Sequence, residues 1–157
     1  MPPGLLHAIA ASSLMLAAST AQAEPQAEKL TGSWACREHE GGSDVAMILT
    51  YRRSDDFLVG EMKEDNGAVL LDVWLDVGEE KLALRRLLSY DATVEMRVVE
   101  ESADRVKVEG ELRHLLDITA RVREEIRFVG SDEFRAVWEA DNGDGWQITL
   151  ERTCRRI

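Results

Sequence analysis

From Leu30 onward, apolar and polar residues alternate with period two, and clusters of Gly, Asn, Asp and Ser interrupt the alternation. Successive strand side chains point to opposite faces, so this pattern predicts half-buried β-strands. Turn chemistry at roughly 8–12-residue spacing predicts an all-β barrel or sandwich. Predicted strands cover Leu30 to His39, Val45 to Arg52, Phe57 to Lys63, Ala68 to Val77, Lys81 to Ser89, Thr93 to Glu100, Glu133 to Glu139 and Trp146 to Arg155. The pair Asn66-Gly67 favours a tight hairpin. Between Arg105 and Val129 the even-numbered positions Val106, Val108, Leu112, His114, Leu116, Ile118, Val122, Glu124, Ile126 and Phe128 hold one phase. That is too long for one ordinary strand, and a break near Leu116-Asp117 makes it two. Leu115, Ile118, Val122, Ile126 and Val129 also suit a helix, so the segment stays open, with β-branched content favouring strands.

The total is about ten strands. An even count makes the first and last antiparallel in an up-and-down meander. The two cysteines lie in those two runs. Trp34 and Cys36 share a face of the first; Trp146, Ile148, Leu150, Arg152 and Cys154 are expected to share a face of the last. If the runs pair, a Cys36–Cys154 disulfide closes the sheet. The expected fold is therefore an all-β, antiparallel, up-and-down β-barrel of about 8–10 strands, tied from first strand to last. The cysteine spacing rules out a CxxC redox site, and two cysteines without well-spaced histidines do not make a zinc site.

Ahead of the alternating region, Leu5 to Ala18 is an apolar run too short for a membrane span. It leads to Ala21-Gln22-Ala23, a small-x-small cleavage pattern. The expected organisation is a signal peptide over 1–23, a flexible arm over 24–29 and one barrel domain over 30–157. This places the protein in the periplasm or outside the cell, where a disulfide persists. No Cys follows Ala23 directly, which argues against a lipid anchor. The formal net charge is −11, and such a chain repels nucleic acid and anionic membranes.

Gly32-x-Trp34 at the head of the first strand resembles the opening motif of the lipocalins and related calycin-type barrels. The layout is also similar to lipocalin-like domains of unknown function in exported bacterial proteins. The resemblance implies that Trp34 closes one end of the barrel and that a basic residue near the last strand, Arg152 or Arg155, packs across it as a cation–π contact. Nitrobindin, a ten-stranded relative of that class, binds haem through a C-terminal histidine. The tail from Glu151 to Ile157 has none, so no haem or other cofactor is expected.

Three polar residues fall on apolar faces: Arg86, His114 and Glu124. Burying charge is costly unless it is paired. They are either polar anchors for a ligand or residues that pair with one another or sit at the rim. A simple hairpin about Asp117 sets His114 against Ala120, Leu112 against Val122 and Gly110 against Glu124. A cavity would be lined by Met47, Leu49, Leu84, Met96, Leu112 and Phe134, with Met96 and Leu112 as apolar ligand contacts. Asp141 to Gly145 resembles part of an EF-hand loop, but Ala140 stands where the first carboxylate belongs and neither flank is helical, so a hairpin turn is expected and no metal site. No nucleophile elbow, phosphate loop or placed carboxylate pair occurs, so the chain is not expected to be an enzyme. The expected function is binding a small apolar or amphiphilic ligand. The alternative is a protein–protein module, such as a periplasmic protease inhibitor, using the arm and the loop from Glu40 to Asp44.

Overall fold

The computed structural model describes residues 26–55, 57–64, 69–77, 80–88, 92–114 and 118–157. A 3-10 turn, Gln26–Leu30, precedes ten strands: β1 (Gly32–Glu40), β2 (Ser43–Ser54), β3 (Phe57–Glu64), β4 (Val69–Val77), β5 (Glu80–Leu88), β6 (Ala92–Ser102), β7 (Arg105–His114), β8 (Thr119–Val129), β9 (Glu133–Asp141) and β10 (Trp146–Arg156). Each strand pairs antiparallel with the next, and β1 pairs with β10, so the sheet is a closed barrel. Closure leaves no sheet edge unpaired. The expected leader, the Asn66-Gly67 turn and the break at Leu116-Asp117 lie outside the described residues. On either side of that break the chain is β7 and β8 rather than helix.

Cys36 and Cys154 face each other across the β1–β10 seam and form a disulfide with a sequence separation of 118. Both are buried. The seam is where the two ends of the chain meet: Trp34 stands opposite Arg156, and the Ile157 N–H donates to the Ser33 carbonyl.

One end of the barrel is plugged. Ala27 and Leu30, three apart, bury themselves under it from the 3-10 turn. The Gln26 N–H donates to Glu101 at 2.7 Å, so a carboxylate sits at the start of the turn. Glu28 pairs with Arg53, and Lys29 donates to the Ala103 carbonyl. Residues 26–29, expected in a flexible arm, are thus folded onto the barrel because two apolar side chains share one side of the turn.

Above the plug, Trp34 donates through Nε1 to the Leu30 carbonyl at 2.7 Å and meets Phe134 edge-on at 4.8 Å. Arg156 lies over the indole at 4.1 Å and donates to Thr31, Lys29 and Ser131 carbonyls. The basic residue over Trp34 is therefore Arg156, not Arg152 or Arg155. Arg152 points inward and is spent on Glu38, while Arg155 points outward to Glu133. Gly32 makes this packing possible. Its φ is +124°, and a Cβ there would lie 2.5 Å from Arg156 Nη1.

Two features of register depart from expectation. The pairing of β10 with β9 skips Thr149, between Ile148 and Leu150. An extra residue reverses the side-chain phase on one side of it. Leu150, Arg152 and Cys154 keep the inward phase, whereas Trp146 and Ile148 turn outward. Ile148 is 61% exposed, and Trp146 lies against Arg123 and Arg121 on the outer wall, at 4.3 and 5.1 Å. The β7–β8 hairpin is displaced by two positions: Leu112 faces Ala120, Gly110 faces Val122 and Val108 faces Glu124. An even displacement keeps every side chain on its expected face.

Candidate functional site

The end opposite the plug carries the β1–β2, β7–β8 and β9–β10 connections. Here the inward-facing side chains change character. Val45, Leu112, Trp138 and Ala140 pack on the core yet are only partly buried. Other inward residues, such as Leu49, Val94, Val108 and Val122, have no exposed surface to speak of. Val45, Leu112, Trp138 and Ala140 mark an apolar rim at that end.

Beneath the rim lies a buried ionic cluster, and the strand register explains it. Asp72 and Arg86 stand directly opposite each other on β4 and β5. Arg86 grips Asp72 with two bonds, Nε to Oδ1 at 2.7 Å and Nη2 to Oδ2 at 3.1 Å. The same Nη2 donates to Glu124 Oε2 at 2.9 Å, across the barrel from β8. On β3, Gly60 stands between Tyr51 of β2 and Asp72 of β4. With no side chain there, the Tyr51 ring packs against Gly60, and its hydroxyl donates to Asp72 Oδ2 at 2.8 Å. Trp138, opposite Glu124 on β9, covers the Arg86 guanidinium at 5.0 Å.

All four polar members are buried. Burial alone would push the Arg86 pKa down, but the charges of Asp72 and Glu124 overcome it and hold the guanidinium well above its ordinary value. Burial pushes the Tyr51 hydroxyl well up, and the Asp72 charge adds to this. A second buried pair, Arg152 with Glu38, bridges β10 and β1, with Nε to Oε2 at 2.8 Å. Among the described residues the buried charged side chains are Asp72, Glu124 and Glu38 with Arg86 and Arg152.

Of the residues expected to contact a ligand, Arg86 and Glu124 are brought together, as partners of each other. Leu112 is at the rim. His114 is half-buried at the end of β7, opposite Ala92, with its backbone N–H on the Ile118 carbonyl. Met96 lies deeper, buried opposite Leu84 and Gly110. Met47, Leu49, Leu84 and Phe134 are likewise fully packed below the rim, Phe134 against Trp34 in the plugged half. Asp72, Tyr51, Glu38 and Trp138 were not singled out from sequence. Glu38 shares its face with Trp34 and Cys36, so phase alone marks it, whereas Asp72 lies on a strand whose two faces are both rich in apolar residues. Tyr51 needs the register with Gly60.

The loop expected to serve a protein partner is a tight turn. The β1–β2 pairing runs out to Glu40 and Ser43, leaving only Gly41 and Gly42 between them. Among the described residues no three His, Cys, Asp or Glu side chains form a metal-binding group. The Asp141 carboxylate accepts from the Gly143 and Gly145 N–H groups and so caps its own turn.

Fold and interior together define a ten-stranded, closed, antiparallel β-barrel. No family model matches the chain, and no curated protein matches it in sequence. Among solved structures it is similar to Rv2717c from M. tuberculosis, with a TM-score of 0.64 at 13% identity over 83% of this chain and 94% of that one. A looser likeness, TM-score 0.43 at 15% identity, links 85% of the chain to all of mFAP1, a redesigned β-barrel bound to DFHBI. At 13% identity, what the chain shares with Rv2717c is the fold.

Proposed function

We propose that this protein is an exported, lipocalin-like barrel that holds a small apolar or amphiphilic molecule in the cup at its open end. One observation carries the reading. The inward-facing Val45, Leu112, Trp138 and Ala140 pack on the core yet stay only partly buried, while the opposite end is plugged. Concave apolar surface with a few converging polar groups is the usual form of a small-molecule site. Export is supported by the leader-like pattern over 1–23 and by a buried disulfide that needs an oxidising compartment to form. The lipocalin-like build is supported by Gly32-x-Trp34 with Arg156 across the indole. The protein is a binder rather than an enzyme, with neither nucleic acid nor membrane as partner.

The test is a titration of the mature protein with N-phenyl-1-naphthylamine, an uncharged probe that fluoresces in apolar surroundings. Saturable one-site binding is expected. Leu112→Arg places a charge at the rim and is expected to weaken binding at least about tenfold with the melting curve retained. No saturable binding by the unaltered protein, or equal binding by the variant, would overturn the reading.

A further inference from the structure

We infer that the outer wall over the closing seam carries a separate site, a groove that takes a small anion on an apolar body. The groove has a volume of about 610 Å³ and runs over β10, β1 and β2. The outward-facing Ala35, Arg37, Ala46, Ile48, Thr153 and Arg155 line it. Register builds it from two neighbouring rows. One row is Arg155, Ala35 and Ile48; the next is Thr153, Arg37 and Ala46. The alanines end at Cβ, so Ile48, Arg37 and Arg155 stand above them as walls. Ile48 is 45% exposed there, an apolar surface that water covers in the free protein.

The charge at this place is opposite to that of the chain, whose net charge is −11. On β9 the same two rows continue into Glu133 and Arg135. Three guanidiniums, Arg37, Arg135 and Arg155, therefore share one carboxylate. Glu133 accepts from Arg135 at 2.9 and 3.0 Å and from Arg155 at 3.3 Å. Arg37 has no ion pair among the described residues, because its cross-strand neighbours are Thr153 and Ala46. The next row toward the open end holds Glu151, His39 and Asp44, and Asp44 is engaged by His39 at 2.8 Å. Elsewhere on the wall an arginine stands beside an acid, as Arg85 does with Glu95 and Arg123 with Glu139. A guanidinium donates charge-assisted bonds to anionic oxygens, and Arg37 and Arg155 offer them from two sides of one depression. The body of the ligand then covers Ala35, Ala46 and Ile48, which adds apolar burial to exposed charge contacts that are weak alone.

Two probes with one ring system separate this groove from the cup. N-phenyl-1-naphthylamine is uncharged, and 8-anilinonaphthalene-1-sulfonate adds a sulfonate to it. Each is titrated into the isotope-labelled mature protein while NMR follows the backbone amides. The sulfonate should shift the signals of Ala35, Arg37 and Thr153, and the uncharged probe should leave them in place. Arg37→Gln combined with Arg155→Gln should weaken the sulfonate at the groove at least about tenfold, with naphthylamine affinity and the melting curve retained. Ala35→Leu fills the groove, keeps both charges and should weaken the sulfonate similarly. The probe comparison on the unaltered protein decides even if a variant fails to fold. Sulfonate shifts confined to the rim, at Leu112, Trp138 and Ala140, overturn the inference, as does the absence of sulfonate binding. Failure of the naphthylamine alone overturns the cup, a distinct outcome.

Discussion

At the scale of single residues, the interior is organised by pairing rather than by avoidance of charge. Asp72, Arg86 and Glu124 are buried because each stands within reach of an opposite charge, and Tyr51 ties the group to β2. Removing one partner of such a group strands the others, which costs about 3–5 kcal/mol in comparable cases. Tyr51 makes the cluster sensitive to alkali. Its folded pKa is raised, so below the unfolded value of about 10 its contribution to stability is intact. As pH climbs past that value, the unfolded chain releases the phenol proton while the folded chain retains it, and stability falls. Urea unfolding from about pH 9 to about pH 11 should show this decline, and Tyr51→Phe should lessen it. An identical slope in the variant would mean that other groups set the alkaline limit. Much of this chemistry was legible in advance. Arg86 and Glu124 interrupt apolar phases and announce themselves. Asp72 hides because both faces of β4 are rich in apolar residues, so alternation there does not say which face is inside.

Elements were legible where composition marks their ends. Turn residues between alternating runs locate all ten strands, and β-branched residues decide for β7 and β8 over a helix. A single-residue irregularity leaves no such mark. Thr149 looks like any strand residue, yet the chain skips it in pairing and so turns Trp146 and Ile148 outward. The 3-10 turn leaves no mark for a similar reason, because it holds only two apolar residues in a polar stretch. Its role is nevertheless specific. Leu30 is 1% exposed at the plugged end. Leu30→Ala should cost about 2–5 kcal/mol, read by urea denaturation, because it opens space beneath Trp34. Since the plug and the rim lie at opposite ends, affinity for N-phenyl-1-naphthylamine should survive the change. Loss of binding at unchanged stability would place the ligand at the wrong end.

For the whole molecule, closure is the defining property, and the paired cysteines made it legible. Register, the rim and the plug depend on long-range packing and were not legible. The disulfide spans 118 residues. By the chain-entropy model a cross-link of that length contributes up to about 4–5 kcal/mol. Replacing both cysteines by alanine should lower stability by up to that amount in urea. Because Cys36 and Cys154 are both buried, mild reductant should act on the folded protein only as fast as the seam opens. Rapid reduction of the folded protein would show that the seam opens readily.

The seam also dictates when folding can finish. β1 finds its second neighbour only in β10, the tenth strand of the barrel. A chain leaving the ribosome can build hairpins one after another, but it carries an open edge on its first strand until β10 emerges. Closing so distant a contact is slow relative to local pairing. The export proposed above would benefit from such a delay, since a chain crossing a membrane unfolded must not complete its barrel early.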